Sequence, residues 1–509
     1  MNIRDQTKTH AGILGLMILL AVNFFFLRHN AFRFFNFYDM CFDLDGGWRI
    51  LNGQRPHTDF ICFTGPVHLY MYALFFKIFG FGKSAIFAYL ITGSSLVMTI
   101  VYGMTRKAIP LAVSLLVTTL TMTSFYWPVS HPWHNQTAML WEILALSIYV
   151  RYLNSLTSKN AFGVAFTCGI LMILAFMTKT NEGVIYGTLF LLLFLFSPYR
   201  KQLLSGYLIG GAVSFVLAFM FIGCSPLIFF EQIMAYSRMM AGPRLSRLMI
   251  WSNWFANYYW IPFIIVLFNV WPFRHKYRNF FLLFIGMMMV SIYSLYSNDI
   301  LRSANIFLWG IFIAVAYLIF YKIKENLTTS RRKKFFRISE WLLVTITSVL
   351  IVISVKYDFE LKVWTYWENL LGTYALQAKP LKGWLFDEFR GKILDQMVDF
   401  IDMNIPKKDS ILVVTDMQIL YALTDRPSYP GIPIQGFQKD GMPAPGAQLE
   451  QVHKTISAHP PDWIVVDIGN VMNEIPYLGL SEALKTRYTL AKSFGLFAIF
   501  KKKKKYVKF

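Results

Sequence analysis

The stretch YDMCFDLDGGWRILNGQRPHTDF, residues 38–60, carries Asp39, Asp43 and Asp45 within seven positions, with Asp59 shortly after. A carboxylate placed beside a hydroxyl can take its proton as a general base. If residues 38–50 are helical, Asp39 and Asp43 lie four apart and share a face. Like charges at that spacing repel, which raises the pKa of one of them. The plainer reading is a solvated loop, or aspartates capping a helix. Spacing alone leaves both open.

The surroundings of these acids narrow the choice. The chain has 509 residues, of which 56% are hydrophobic, 17% aromatic and only 15% charged. Soluble domains carry about 25% charged residues. The composition therefore predicts a polytopic α-helical membrane protein. The net charge of +21 does not point to nucleic acid, because the basic residues concentrate in loops between apolar segments. A spanning helix needs about 20 mostly apolar residues. Eleven segments are candidates: about 11–28, 84–104, 109–126, 136–153, 161–177, 183–198, 203–223, 258–272, 279–297, 303–321 and 338–356. The first lacks a clear small-residue cleavage site, so it reads as an anchor rather than a signal peptide.

With the N-terminus inside, Arg106, Lys107, Arg151, Lys159, Arg200, Lys201, Arg274, Lys276, Arg278 and the run RRKKFFR, Arg331 to Arg337, all fall on the inner side. That satisfies the positive-inside rule. Counting GPVHLYMYALFFKIFG as a crossing would invert every later loop, so this segment is expected to lie in the outer interface. The acids then belong to a first outer loop, about residues 29–83. Three aspartates at the bilayer centre would each cost about 2.5–3.5 kcal/mol, so this loop must meet water or a polar cavity. Expected domains are a membrane part, 1–356, and a C-terminal α/β part, 357–509, outside a bacterial cytoplasmic membrane. There DSILVVTD and DWIVVDIG read as buried strands, and FDEFRGKILDQMVDFIDMN as a helix. RPSYPGIPIQG and GMPAPG read as loops, and the closing lysine run, Lys501 to Lys505, as a solvated tail.

Four cysteines make no disulfide scaffold. Cys168 reads as core, and Cys41 and Cys62 can pair only if the loop faces an oxidising space. His131 and His134 have a spacing that could serve a metal. No cysteine or acid stands near them, so a structural or acceptor-contact role is favoured. No cofactor is expected, and a divalent metal, though possible, is not indicated. His57 and His68 flank the acid loop. There is no Walker-type glycine loop, which argues against ATP-driven transport and nucleotide-sugar use.

In order, the chain presents Asp39, WRILNG (Trp48 to Gly53), Pro56, Asp59–Phe60, Gly65–Pro66 and KIFG (Lys77 to Gly80). Later come LAFMTKTNEGVIYG (Leu174 to Gly187), YALTDRPSYP (Tyr421 to Pro430) and YTLAKSFGLFAIFKKK. This series resembles the GT-C class of integral-membrane glycosyltransferases, which contains protein O-mannosyltransferases and bacterial aminoarabinose transferases. The chain departs from the pattern where an acid usually follows the first aspartate, since Met40 stands there. Asp43 and Asp45 come after it. The distance to Gly53 favours Asp39 as base, with Asp43 second.

The resemblance implies a sugar donor on a polyprenyl phosphate, whose phosphate is already a good leaving group. One carboxylate then suffices, with direct attack inverting the anomeric carbon. A hydrolase, by contrast, usually needs two carboxylates. The departing phosphate needs a cation. Candidates are Lys179, which matches the family motif, and Arg238, Arg244, Arg247 and Arg302. The plainer reading of Lys179 is a snorkelling lysine. Asp43, Asp45 and Asp59 are expected to orient sugar or acceptor, and His57 to line the same substrate cavity. The acceptor, a lipid, glycan or protein, is not legible. A flippase or transporter would show inverted repeats and broken helices, and neither is clear. A polysaccharide ligase or polymerase would carry its main outer loop mid-chain.

Overall fold

The structure, a computed structural model, describes residues 3–35, 37–127, 131–153, 155–234, 260–297, 309–327, 330–360, 372–432, 446–467 and 480–503. The chain divides into two compact units. One comprises residues 1–31, 90–218 and 241–368; the other comprises 32–89, 219–240 and 369–509.

Helices build the first unit. They are α1 (Ile3–Asn30), most of α4 (Lys83–Thr105), α5 (Leu111–Phe125), α6 (His134–Tyr152), α7 (Ser158–Phe176), α8 (Thr180–Leu195), most of α9 (Arg200–Ile222), α10 (Trp260–Val270), α11 (Arg278–Ser297), α12 (Trp309–Lys324) and α13 (Ser330–Glu360). Each of the eleven apolar segments of the sequence falls on one of these. Among the described residues, five are long and apolar enough to cross a membrane: those within α1, α4, α7, α9 and α13. They turn large apolar side chains outward, such as Phe25 (70% exposed), Leu217 (57%) and Trp341 (70%), which water would penalise and lipid does not.

Small residues set the closest packing. A Cβ on Gly206 would meet the Phe162 carbonyl oxygen at 2.4 Å, one on Gly210 the Phe166 oxygen at 2.2 Å, and one on Gly169 the Tyr207 oxygen at 2.4 Å. α7 and α9 thus touch backbone to backbone, through a small-xxx-small pattern.

The second unit holds α2 (Phe37–Leu51), α3 (Val67–Phe79) and a sheet. Strands β3 (Ile411–Val414), β4 (Trp463–Asp467), β5 (Tyr488–Phe494) and β6 (Phe497–Lys502) run in the order β3-β4-β6-β5. β3 and β4 are parallel, and β6 is antiparallel to both its neighbours. Every residue of β3 and β4 is buried, as unbroken apolar runs in a sheet covered on both faces should be. A two-stranded ribbon, β1 (Tyr374–Ala375) and β2 (Leu385–Phe386), precedes helix α14 (Glu388–Asn404), whose N-cap Asp387 accepts from the Arg390 amide. The ribbon is stitched to the segment after α1. Leu385 N–H donates to the Phe32 oxygen at 2.8 Å, and the buried Trp384 donates Nε1–H to the Phe34 oxygen at 2.8 Å.

One expectation is corrected. The closing lysines are not all a solvated tail: Lys501 and Lys502 end β6, the Lys501 ammonium lies 4.9 Å from the Trp463 ring, and Lys503 Nζ donates to the Thr486 oxygen at 3.0 Å. Long apolar stems let lysines finish an edge strand with their heads in water. Cys41 and Cys62 are both free and buried, so no bridge closes the first loop. The segment read as GMPAPG lies almost wholly outside the described residues.

Candidate functional site

The loop after the first apolar helix opens with α2. Its sequence FYDMCFDLDGGWRIL places Asp39 in the first turn, where the helix N-terminus favours negative charge. Asp43 stands one turn later. Its Oδ2 lies 3.1 Å from His68 Nε2, both side chains being fully buried, and His68 Nδ1 lies 3.1 Å from the Tyr89 hydroxyl. With Nε2–H toward the carboxylate, Nδ1 is left to accept from the tyrosine. Burial pushes the Asp43 carboxyl above the ordinary carboxylate range, while His68 pulls it back.

Asp45 lies in a different setting. It accepts from Arg49 Nε at 2.7 Å, one turn on, and from Ser428 Oγ at 2.6 Å. Both members of the ion pair are fully buried. Burial raises the Asp45 carboxyl too, against the pull of Arg49 and Ser428. Around this pair a lock closes. Arg49 Nη1 donates to the Tyr429 oxygen at 2.8 Å, Trp48 Nε1 to the Arg426 oxygen at 2.7 Å, and Gln54 Nε2 to the Ser428 oxygen at 2.6 Å. The WRILNG and RPSYP segments, far apart in sequence, are thus hydrogen-bonded partners. Gly53, at φ +84°, makes the turn that releases the chain from α2.

Asp59 staples its own loop. It accepts from the Arg55 amide at 2.8 Å and from Arg55 Nε at 3.2 Å, in a partly exposed pair. His57 is buried, at φ +63°, a strained angle for a non-glycine residue. What holds it is Gln232: His57 Nδ1 donates to Gln232 Oε1 at 2.8 Å, and Gln232 Nε2 returns a bond to the His57 oxygen at 3.3 Å. Oε1 also accepts from the Cys62 amide at 3.2 Å. Burial pushes the His57 ring down to about 4.

The first unit carries a separate group. Lys179, at the N-cap of α8, lies 3.4 Å from Glu182, and Glu142 of α6 is in electrostatic reach of both. Glu142 and Glu182 are buried. Sequence reasoning named Lys179 and missed both acids. Glu142 was findable, because it is the lone acid of an apolar helix, and ionisable groups inside membrane helices are functional candidates by default. Arg49 stood in the WRILNG motif without a role assigned to it, and Gln232 had no signal. Arg238, Arg244, Arg247 and Arg302 lie outside the described residues, as does the Asp39 side chain. Among the described residues no group of three or more His, Cys, Asp or Glu could hold a metal ion. His131 is buried.

Neither a family model nor a curated protein matches the chain. Among solved structures it is similar to ArnT from Cupriavidus metallidurans bound to undecaprenyl phosphate. The identity is 10% and the TM-score 0.56, over 97% of this chain and 98% of that one. The apo state of the same protein gives 11%, 0.56 and the same coverage. The chain therefore has the GT-C fold of a polytopic membrane protein.

Proposed function

We propose that this GT-C-fold protein is a glycosyltransferase. It moves a sugar from a polyprenyl-phosphate donor to a hydroxyl acceptor on the outer face of a bacterial cytoplasmic membrane. One observation carries the reading: near full-length similarity of fold to a protein crystallised with undecaprenyl phosphate, joined to an aspartate-bearing helix directly after the first apolar helix. The N-terminus is inside. Residues 1–356 form the membrane part, and residues 357–509 form an outer part that works with the first loop.

In this reading Asp39 is the general base. It takes the proton of the acceptor hydroxyl, whose oxygen attacks the anomeric carbon as the bond from that carbon to the phosphate oxygen breaks. The products are an inverted glycoside and polyprenyl phosphate, and Asp39 returns its proton to water. Asp43, backed by His68, is the second choice for base. The lock that engages both Asp45 oxygens suits that residue to orienting the loop. Asp59 and His57 act in the same way. Lys179 takes the charge gathering on the leaving phosphate, and Arg244, Arg247 and Arg302 are assigned to the donor's headgroup. Glu182 holds Lys179 until a phosphate arrives. The acceptor is a lipid, glycan or protein hydroxyl.

The test uses purified protein in lipid nanodiscs, a panel of polyprenyl-phosphate sugars and cell-envelope extract as acceptor source. Release of free polyprenyl phosphate is followed. The wild type releases it, Asp39→Asn is slower by at least about a hundredfold, and Lys179→Ala loses at least about tenfold in kcat/KM. Release surviving in Asp39→Asn but lost in Asp43→Asn moves the base. Absence of release with every donor overturns the reading.

A further inference from the structure

At the opposite end of α6 from His134, the helix bundle of the first unit holds two cavities of about 700 and 840 Å³, both lined by Phe280. The larger opens between the last turns of α4, α6 and α12. Part of its wall is apolar, with Ile100, Leu144, Ile148 and Leu318 there. Its mouth carries four cations, Arg106, Lys107, Arg151 and Lys322, and one carboxylate, Glu325.

A cation at a helix C-terminus needs no ligand to explain it, since the helix dipole favours it there. Here the count exceeds that explanation. Four cations less one acid leave +3. Three helix C-termini contribute about −0.5 each and the N-terminus of α11 about +0.5, so about +2 remains. None of the four cations is ion-paired with a carboxylate among the described residues. The same turn of α12 shows that pairing is available: Lys324, two residues from Lys322, is bonded to Glu340.

We propose that this cavity binds the headgroup of an anionic phospholipid of the adjacent leaflet. A phosphodiester sits among Arg106, Arg151 and Lys322, and one acyl chain lies along the wall formed by Leu144, Ile148 and Leu318. The chemistry selects a phosphate, and the apolar wall selects a lipid over a free ion. Basic pockets between membrane helices on the cytoplasmic side recognise such headgroups. The site shares no residue with α2 and does not depend on the transferase reading.

The experiment uses the full chain, delipidated in detergent micelles. Thermal unfolding and native mass spectrometry follow the addition of phosphatidylglycerol, phosphatidylcholine or inorganic phosphate. Phosphatidylglycerol alone is expected to raise the unfolding temperature and stay bound. The variant R106Q/R151Q/K322Q is expected to bind it at least about tenfold more weakly. K333Q/K334Q/R337Q, with the same charge loss on exposed positions of α13, is expected to bind it as the wild type does. Equal weakening of both variants would mean bulk headgroup attraction and would overturn the site. An equal shift with inorganic phosphate would overturn the lipid assignment. Wild-type protein cross-linked with a photoreactive phosphatidylglycerol covers the case of a misfolded variant. Label confined to 99–108, 144–151 and 318–325 supports the site, and label spread evenly along α13 contradicts it.

Discussion

Asp43 and Asp45 stand on one short helix in different surroundings, and their chemistry follows from that. Asp45 is half of a buried ion pair with Arg49, so removing its charge strands a guanidinium in the interior. Asp45→Asn is expected to cost about 3–5 kcal/mol of stability. Thermal unfolding in nanodiscs reads this directly. Asp39→Asn, at the start of the same helix, is expected to leave unfolding unchanged, so the two roles separate in one measurement. His57 gives a pH signature. Its folded ring resists protonation down to about 4, whereas the unfolded ring protonates near 6.5. Between those values the unfolded chain binds more protons, so stability falls as pH falls through that window, by up to about 3 kcal/mol. In His57→Gln this part of the acid slope is expected to vanish. A slope identical to that of the wild type would mean that another group carries it.

Among the elements, the apolar helices and strands β3 and β4 were legible because burial writes itself into composition. Each apolar segment overlaps a helix, and ILVV and WIVV are unbroken apolar runs paired in register from Ile411 with Trp463. The terminal hairpin was less legible, because lysines that finish a strand and lysines in a tail look alike until Trp463 is seen beneath one of them. The lock around Asp45 could not be read at all. Its partners, Ser428 and Tyr429, lie about 380 positions away, and nothing local marks a serine hydroxyl or a backbone carbonyl as spoken for. In the helix pair α7–α9 the glycines are a geometric demand. Gly210→Leu drives a side chain into the Phe166 carbonyl and is expected to destabilise by about 1–3 kcal/mol or more. Gly211→Leu, with nothing within 4 Å of a Cβ, is the matched control and is expected to be near neutral. Equal loss in both would show that the close approach does not limit packing there.

At the scale of the whole molecule, segments distant in sequence form one body: the first loop, residues 219–240 and the C-terminal part belong to a single compact unit. This gives the motif residues Trp48, Arg49 and Gly53 an architectural use. They hold the acid-bearing helix against the loop that carries Arg426 to Tyr429. The proposed reaction rests on the number of groups it needs. A phosphate leaving group requires no general acid, so a single base on α2 and a cation at the phosphate suffice. The most direct measurement is the anomeric configuration of the purified product, read by NMR, together with the amount of polyprenyl phosphate released per glycoside formed. Inversion is expected, with one polyprenyl phosphate for each glycoside. Retention of configuration, or release of a diphosphate in its place, would contradict the proposed reaction.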